Sequence, residues 1–260
     1  MFGVKTIVFE TKKNAALAVA GVLLAGSLIS CSQKELVRPD AVLINRGNNF
    51  YARERFTQAA EEYRKSIEEN PDSPFRKAAI LGLADSLYKD RKYFEAALYY
   101  ERFVELYPMD PLRPRAVFYL GMCHYLDSYT PDRDQTPTKK AMETFDSFVK
   151  DYPNSELAPY ARKFYNEMRA TLAESLLEIA RYYYKVNQNQ AAIGRIHDFL
   201  NQYPDAETVP EAMYMLGVCY YREQSFRKAA VVFTELMKKF PENKYAAEGA
   251  AIAEKLRLKG

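Results

Sequence analysis

From Phe75 to Pro108 the chain places apolar residues at helical spacing twice over, with a short charged break at Lys89 to Lys92 between the two stretches. Leu83, Ala84 and Leu87 form one stripe; Ala96, Ala97, Tyr100, Phe103 and Val104 form the next. Recurrence at three and four residues puts side chains on one face of an α-helix. Pro108 stops the second stripe, because proline cannot continue the helical hydrogen-bond ladder. The pattern predicts a helical hairpin closed by Tyr107-Pro108. The same closure returns at Asn70-Pro71, Tyr152-Pro153, Tyr203-Pro204 and Phe240-Pro241, so five such units are expected.

Aligning the units sharpens the pattern. A small residue recurs in each first helix at Gly47, Ala84, Gly121, Ala180 and Gly217, with a 37-residue step among the first three and again between the last two. The second helices align on Ala59-Ala60, Ala96-Ala97, Ala141-Met142, Ala192-Ile193 and Ala229-Ala230, followed by Tyr63, Tyr100, Phe145, Ile196 and Phe233. Small residues let two helices approach, and the larger side chain fills the groove between hairpins. This series resembles the tetratricopeptide repeat with a slightly long period. The resemblance implies an all-α, right-handed superhelical stack of five helical hairpins, with Tyr245 to Leu256 as a C-terminal capping helix. Each hairpin leaves an apolar face open, so stacking is obligatory.

Two units break the period. The third carries about eight extra residues in Asp127 to Thr138, whose prolines and charges predict a loop. The fourth has about 14 extra residues before Ala180, and Pro159 to Val186 reads as one long helix, apolar at Tyr160, Phe164, Met168, Leu172, Leu176, Ile179 and Tyr183. That divides repeats 1–3 (residues 40–158) from repeats 4 and 5 with the cap (residues 159–260).

Residues 1–30 stand outside the repeats. Lys5, Lys12 and Lys13 precede an uncharged run from Ala15 to Ile29, too short to span a bilayer but suited to a signal peptide. The run ends Leu28-Ile29-Ser30-Cys31, which resembles the bacterial lipobox. That resemblance implies lipid attachment at Cys31, acylation of the new amino terminus, and export to the outer membrane because Ser32 follows. Several acyl chains together anchor a protein that one alone would hold only marginally. An ordinary leader with a chance cysteine is the plainer alternative. Residues 31–39 are expected to form a tether.

Composition then removes whole classes of function. Tyrosine is abundant at 21, glycine low at 10 and tryptophan absent, which suits stacked helices. The formal charge of +3 does not argue for nucleic acid. Without the leader, which holds three of the 37 basic and one of the 34 acidic residues, 34 basic face 33 acidic ones. Cys123 and Cys219 sit at the same point of distant repeats, beyond the reach of a disulfide. His124 and His197 lie on different helices, and there is no metal-ligand, phosphate-loop or nucleophile motif. Asp132-Arg133-Asp134 reads as solvated loop charge. The sequence therefore predicts no enzyme, no metal and no cofactor.

A tyrosine follows each small residue by four: Tyr51, Tyr88, Tyr125, Tyr184 and Tyr221. Two readings stand open, a lining for the inner groove or packing between repeats with only the hydroxyl reaching water. Tyr51, Tyr88 and Tyr125, with Asn48, Asp85 and Arg115 as polar partners, are the candidate groove for an extended peptide. For each polar residue a plain exposed helix position is the competing reading.

One stretch is more specific. Asp132-Arg133-Asp134-Gln135-Thr136, Tyr152-Pro153-Asn154-Ser155, Arg169-x-x-Leu172-Ala173, Ile179-Ala180-x-Tyr182-Tyr183 and Ala191-Ala192-Ile193-Gly194-Arg195-Ile196 before Tyr203-Pro204 together resemble the BamD family of outer-membrane β-barrel assembly lipoproteins. The resemblance implies a non-enzymatic scaffold on the periplasmic side of the outer membrane, within the BAM complex. It implies as partners a BamA-type barrel protein bound through a POTRA domain, unfolded outer-membrane protein clients, and further lipoproteins of that complex. The partner-binding arginine falls on Arg195; Gly194 stands where the family often has asparagine, so a local change of backbone is expected. The competing assignment is another periplasmic repeat coordinator, associated with Tol-Pal or with the cell wall.

Overall fold

The computed structural model describes residues 40–128 and 134–257. The expected leader (1–30), the tether (31–39) with Cys31, and the Asp132-Arg133 pair lie outside the described residues. Among the described residues there are eleven helices and no strand. They are α1 (Asp40–Ala52), α2 (Phe56–Glu69), α3 (Arg76–Lys89), α4 (Tyr93–Leu106), α5 (Arg113–Leu126), α6 (Thr136–Asp151), α7 (Ala158–Lys185), α8 (Asn189–Gln202), α9 (Val209–Arg222), α10 (Phe226–Lys239) and α11 (Lys244–Arg257).

Each helix packs on the next, so the hairpins α1–α2, α3–α4, α5–α6, α7–α8 and α9–α10 form one stack capped by α11. First helices also approach the following first helix (α1 to α3, α5 to α7, α7 to α9, α9 to α11), and no comparable approach links successive second helices among the described residues. First helices therefore line the inner side of the stack and second helices the outer side. This is the all-α superhelical arrangement that the repeat pattern predicts.

The small residues hold the helices together as expected. A Cβ added at Gly47 would fall 2.7 Å from the Tyr63 ring, and at Gly121 2.7 Å from Phe145. Ala84 and Ala180 are fully buried at the equivalent points. The free thiols of Cys123 and Cys219 are buried in the core.

Local chemistry explains the corners. Second helices end at Asn70, Tyr107, Tyr152, Tyr203 and Phe240 with φ between −128° and −135°. A following proline crowds the preceding residue out of helical geometry, so the X-Pro punctuation is a stop signal in physical terms. First helices end differently. Glu54, Arg91, Asn187 and Gln224 take the left-handed conformation, with φ of 57–61°. The next amide donates back into the helix, as Lys92 N does to Leu87 O at 2.9 Å. That satisfies a carbonyl the helix end would leave free.

Three expectations change. The loop of the third hairpin ends earlier than Thr138, because α6 starts at Thr136. Pro137 sits in its first turn, where no amide hydrogen is needed, and Asp134 accepts bonds from the Thr136 amide and hydroxyl. Next, α7 appears at nearly the expected length but belongs to two cores. Ala158, Ala161 and Met168 pack with Phe118, Phe145 and Phe148, whereas Ala173, Leu177 and Ala180 pack with the last two hairpins. Residue 158 marks where this helix starts; the core changes hands about halfway along it. The third change follows from the second. Ile179, expected on the apolar core stripe, is 44% exposed, because α6 packs against the first half of α7 and not beside Ile179; Tyr160, expected on the same stripe, is 59% exposed in the first turn.

Candidate docking surfaces

The inner side of hairpins 1 to 3 is built on a fixed register. One residue past the small position lie Asn48 and Asp85; six residues before Gly121 lies Arg115. Asn48 Oδ1 accepts a bond from Tyr63 Oη at 2.6 Å, and Asp85 Oδ1 accepts one from Tyr100 Oη at 2.6 Å. Burial, then the Asp85 charge, pushes the Tyr63 hydroxyl up to about 12 and raises that of Tyr100 further still. Hairpins 3 to 5 lack this rung because Phe145, Ile196 and Phe233 bring no hydroxyl.

Arg115 Nη2 donates to both Asp85 oxygens at 2.9 Å, and its guanidinium lies over the Tyr119 ring at 5.1 Å. The plain exposed-position reading therefore does not hold for Asp85 and Arg115, which are half-buried and satisfy each other. Asn48 stays exposed.

The tyrosine series shows both of its open faces. All five are half-buried. Tyr51 packs edge-on against Phe56, Tyr221 packs against Phe226, and Tyr88 packs against Tyr93 and Tyr119. Tyr125 lies 4.7 Å from the Phe164 ring and donates its hydroxyl to Glu167 at 3.0 Å. Tyr184 stacks under the Arg222 guanidinium at 4.6 Å. The rings pack between elements and remain partly accessible.

Sequence reasoning missed a second polar centre. Arg181 occupies the register of Asp85, and Glu211 that of Arg115, with the charges exchanged. Arg181 Nε and Nη2 donate to the two Glu211 oxygens at 2.7 and 2.9 Å, while Nη1 donates to Glu174 and Glu178. The signal was present as a 30-residue spacing of opposite charges in both halves of the chain.

On the outer side, Arg195 of α8 is exposed, and its one side-chain polar contact among the described residues is a 3.5 Å approach to Asp198. Gly194 before it lies in regular helix, where an added Cβ would meet nothing within 4 Å. The expected backbone change there is absent, since an exposed helical position accepts glycine without rearrangement.

The histidines serve separate local roles. His124 borders a cavity of about 370 Å³ with Phe94, Leu98, Pro137 and Lys140. Burial, helped by the Lys140 charge, lowers its pKa to about 4. His197 Nε2 lies 3.0 Å from Tyr220 Oη. Among the described residues, no three metal-ligating side chains converge.

Comparison with known proteins gives the relatives of the chain. The sequence profile of a family described as outer membrane lipoprotein (YfiO) matches residues 38–225, and a tetratricopeptide repeat profile matches residues 211–243. Outer membrane protein assembly factor BamD of Caulobacter vibrioides is 29% identical over 228 residues, covering 84% of this chain and 75% of that one. BamD of Rickettsia prowazekii is 26% identical over 235 residues, covering 90% and 94%. Among solved structures, the TPR2AB-domain–pHSP90 complex of yeast Sti1 overlaps with a TM-score of 0.43 at 17% identity, covering 83% of each chain.

Proposed function

We infer, from the premise that this chain belongs to the YfiO outer membrane lipoprotein family whose curated members are named BamD, that it is a non-enzymatic docking scaffold for outer-membrane protein assembly. The observation that carries this reading is the family match across residues 38–225, which takes in hairpins 1 to 4 and the first helix of hairpin 5. In this proposal Cys31 carries the lipid and holds the stack on the periplasmic side of the outer membrane. Arg195 meets a POTRA domain of a BamA-type barrel protein. The inner face around Asn48, Tyr51, Asp85, Tyr88, Arg115 and Tyr125 receives unfolded barrel clients.

The geometry supports that division of labour. Arg195 extends from the outer side with a loosely held charge, so a partner's carboxylate can claim it without breaking a strong internal pair. On the inner face the Asp85–Arg115 pair and the Tyr63 and Tyr100 hydroxyls are already satisfied. The tyrosine rings offer apolar area with a polar edge, which accepts extended chains of varied sequence.

The test uses the full-length lipidated chain and the POTRA region of the BamA-type protein from the same cell. Capture of that region is expected, and Arg195→Glu should weaken it about tenfold or more, a typical effect for an interface arginine, with helical content unchanged. Cys31→Ala should move the protein from the membrane to the soluble fraction. Recovery of Pal or TolA in place of the barrel protein would overturn the assignment.

A further inference from the structure

The stack contains two starting points, and they are built differently. In hairpins 2 and 5 the first-helix residues just before and two after the small position are sealed where the preceding second helix packs. Leu83 and Ser86 are fully buried, and Leu216 and Cys219 are 4% and 0% exposed. Hairpin 1 opens the described stack, and there the same two positions are polar: Arg46, paired with Glu62 at 2.9 Å, and Asn49.

Hairpin 4 is also a starting point. Phe145 of α6 stacks on Phe164, 5.4 Å away, and Ala180 lies 16 residues further along α7, about 24 Å at 1.5 Å per residue. The preceding second helix is therefore displaced from the register it holds elsewhere. Yet the equivalents of Arg46 and Asn49 here are Ile179 and Tyr182, 44% and 62% exposed, continued by Val186 at 45%. Positions 179, 182 and 186 fall on one stripe of the helix. The α1 helix is polar at both equivalent positions, and Val42 is the one large apolar side chain exposed on it; three exposed apolar residues at helical spacing mark a contact face.

We propose that Ile179, Tyr182 and Val186 seat an amphipathic helix of the BamA-type partner, in the place that a preceding second helix fills in hairpins 2, 3 and 5. The stack itself defines the occupant's shape, because every filled seat of this kind holds a helix with an apolar face. Its charge follows from the rim. Arg195 stands in the register of Glu62, whose partner Arg46 is the equivalent of Ile179, so Arg195 borders the stripe. Lys185, three residues after Tyr182, lies exposed at its edge. Glu178 also borders the stripe but is held by Arg181 at 2.8 Å, so the two cations are the charges left to select a helix with carboxylates flanking its apolar side. The proposal rests on the reading of a BamA-type partner given above and narrows it to one seat.

A photo-crosslinking phenylalanine analogue at position 182 of the full-length lipidated chain tests it in cells. The crosslink is expected on one helix of the partner's periplasmic region, with acidic residues beside its apolar face. In solution, the Ile179→Asp, Tyr182→Asp double variant should bind the purified POTRA region about tenfold more weakly, with unchanged helical content because both residues are exposed. Crosslinking to a second copy or to residues 31–39 of the same chain overturns the proposal, as does double-variant affinity within about twofold of the parent. The two readings fail separately. If Arg195→Glu weakens binding and the double variant does not, the seat alone is wrong; if the parent chain does not bind the POTRA region, the functional reading falls and the seat with it.

Discussion

An added Cβ at Gly121 would lie 2.7 Å from Cε1 of Phe145, a fully buried ring that also stacks on Phe164. The same atom at Gly194 would touch nothing. Both glycines are helical, so the propensity gain from alanine is common to both, and packing decides the sign. Gly121→Ala is expected to destabilise the protein by about 1–3 kcal/mol through overpacking. Gly194→Ala should stabilise it by about 0.5–1 kcal/mol through backbone entropy. Urea midpoints measure both, and a neutral Gly121→Ala would mean that the ring has room to slide. Gly121 could be read from the sequence because the 37-residue step places it among its equivalents. The Asp85–Arg115 pair could not, since its partners come from different hairpins and meet only once the rise of the stack is known. The exchanged pair Arg181–Glu211 shares its 30-residue spacing, a signal that acquires meaning only once that rise is known.

At the scale of the element, each of four hairpins turns through a left-handed residue that is not glycine. Most side chains pay about 1 kcal/mol for that conformation, and asparagine less. Glu54→Gly should therefore stabilise hairpin 1 by a few tenths to about 1 kcal/mol, the gain being reduced by the freer unfolded chain. Asn187→Gly should gain less, because its conformation already costs less. Thermal midpoints in the order Glu54→Gly above Asn187→Gly would agree with this; equal or reversed shifts would place the strain elsewhere. These turns were visible in the sequence only as short polar breaks, since none carries the glycine that usually signals such a cap. The 28 residues of α7 were legible as one uninterrupted pattern. Which neighbours it serves was not, because periodicity records which face is apolar and not what covers it. Ile179 has core spacing and lies open for that reason.

Across the whole molecule, contacts are local along the stack, so stability is distributed by hairpin. The buried clusters separate within α7, between Met168 and Ala173, and the cluster after it holds only residues of α7 to α11. Phe233 is the central ring there, fully buried against both Gly217 of α9 and Gly249 of α11. Phe233→Ala removes that ring and should cost about 3–5 kcal/mol. The loss has two ways to spread: through the C-terminal hairpins, which share the ring, or back through α7 into a separate core. The first requires no other buried cluster to open. Amide hydrogen exchange should accordingly quicken about a hundredfold or more in α9, α10 and α11 while changing little in α1 to α4. Tyr100→Ala should give the mirror result, exposing α1 to α5 and sparing α9 to α11, because Tyr100 belongs to the first core. Uniform acceleration by either variant would mean that α7 couples the two stacks into one cooperative unit. In that case a partner helix seated at Ile179 would stabilise all five hairpins together; with separate stacks, its protection should stay within α7 to α11.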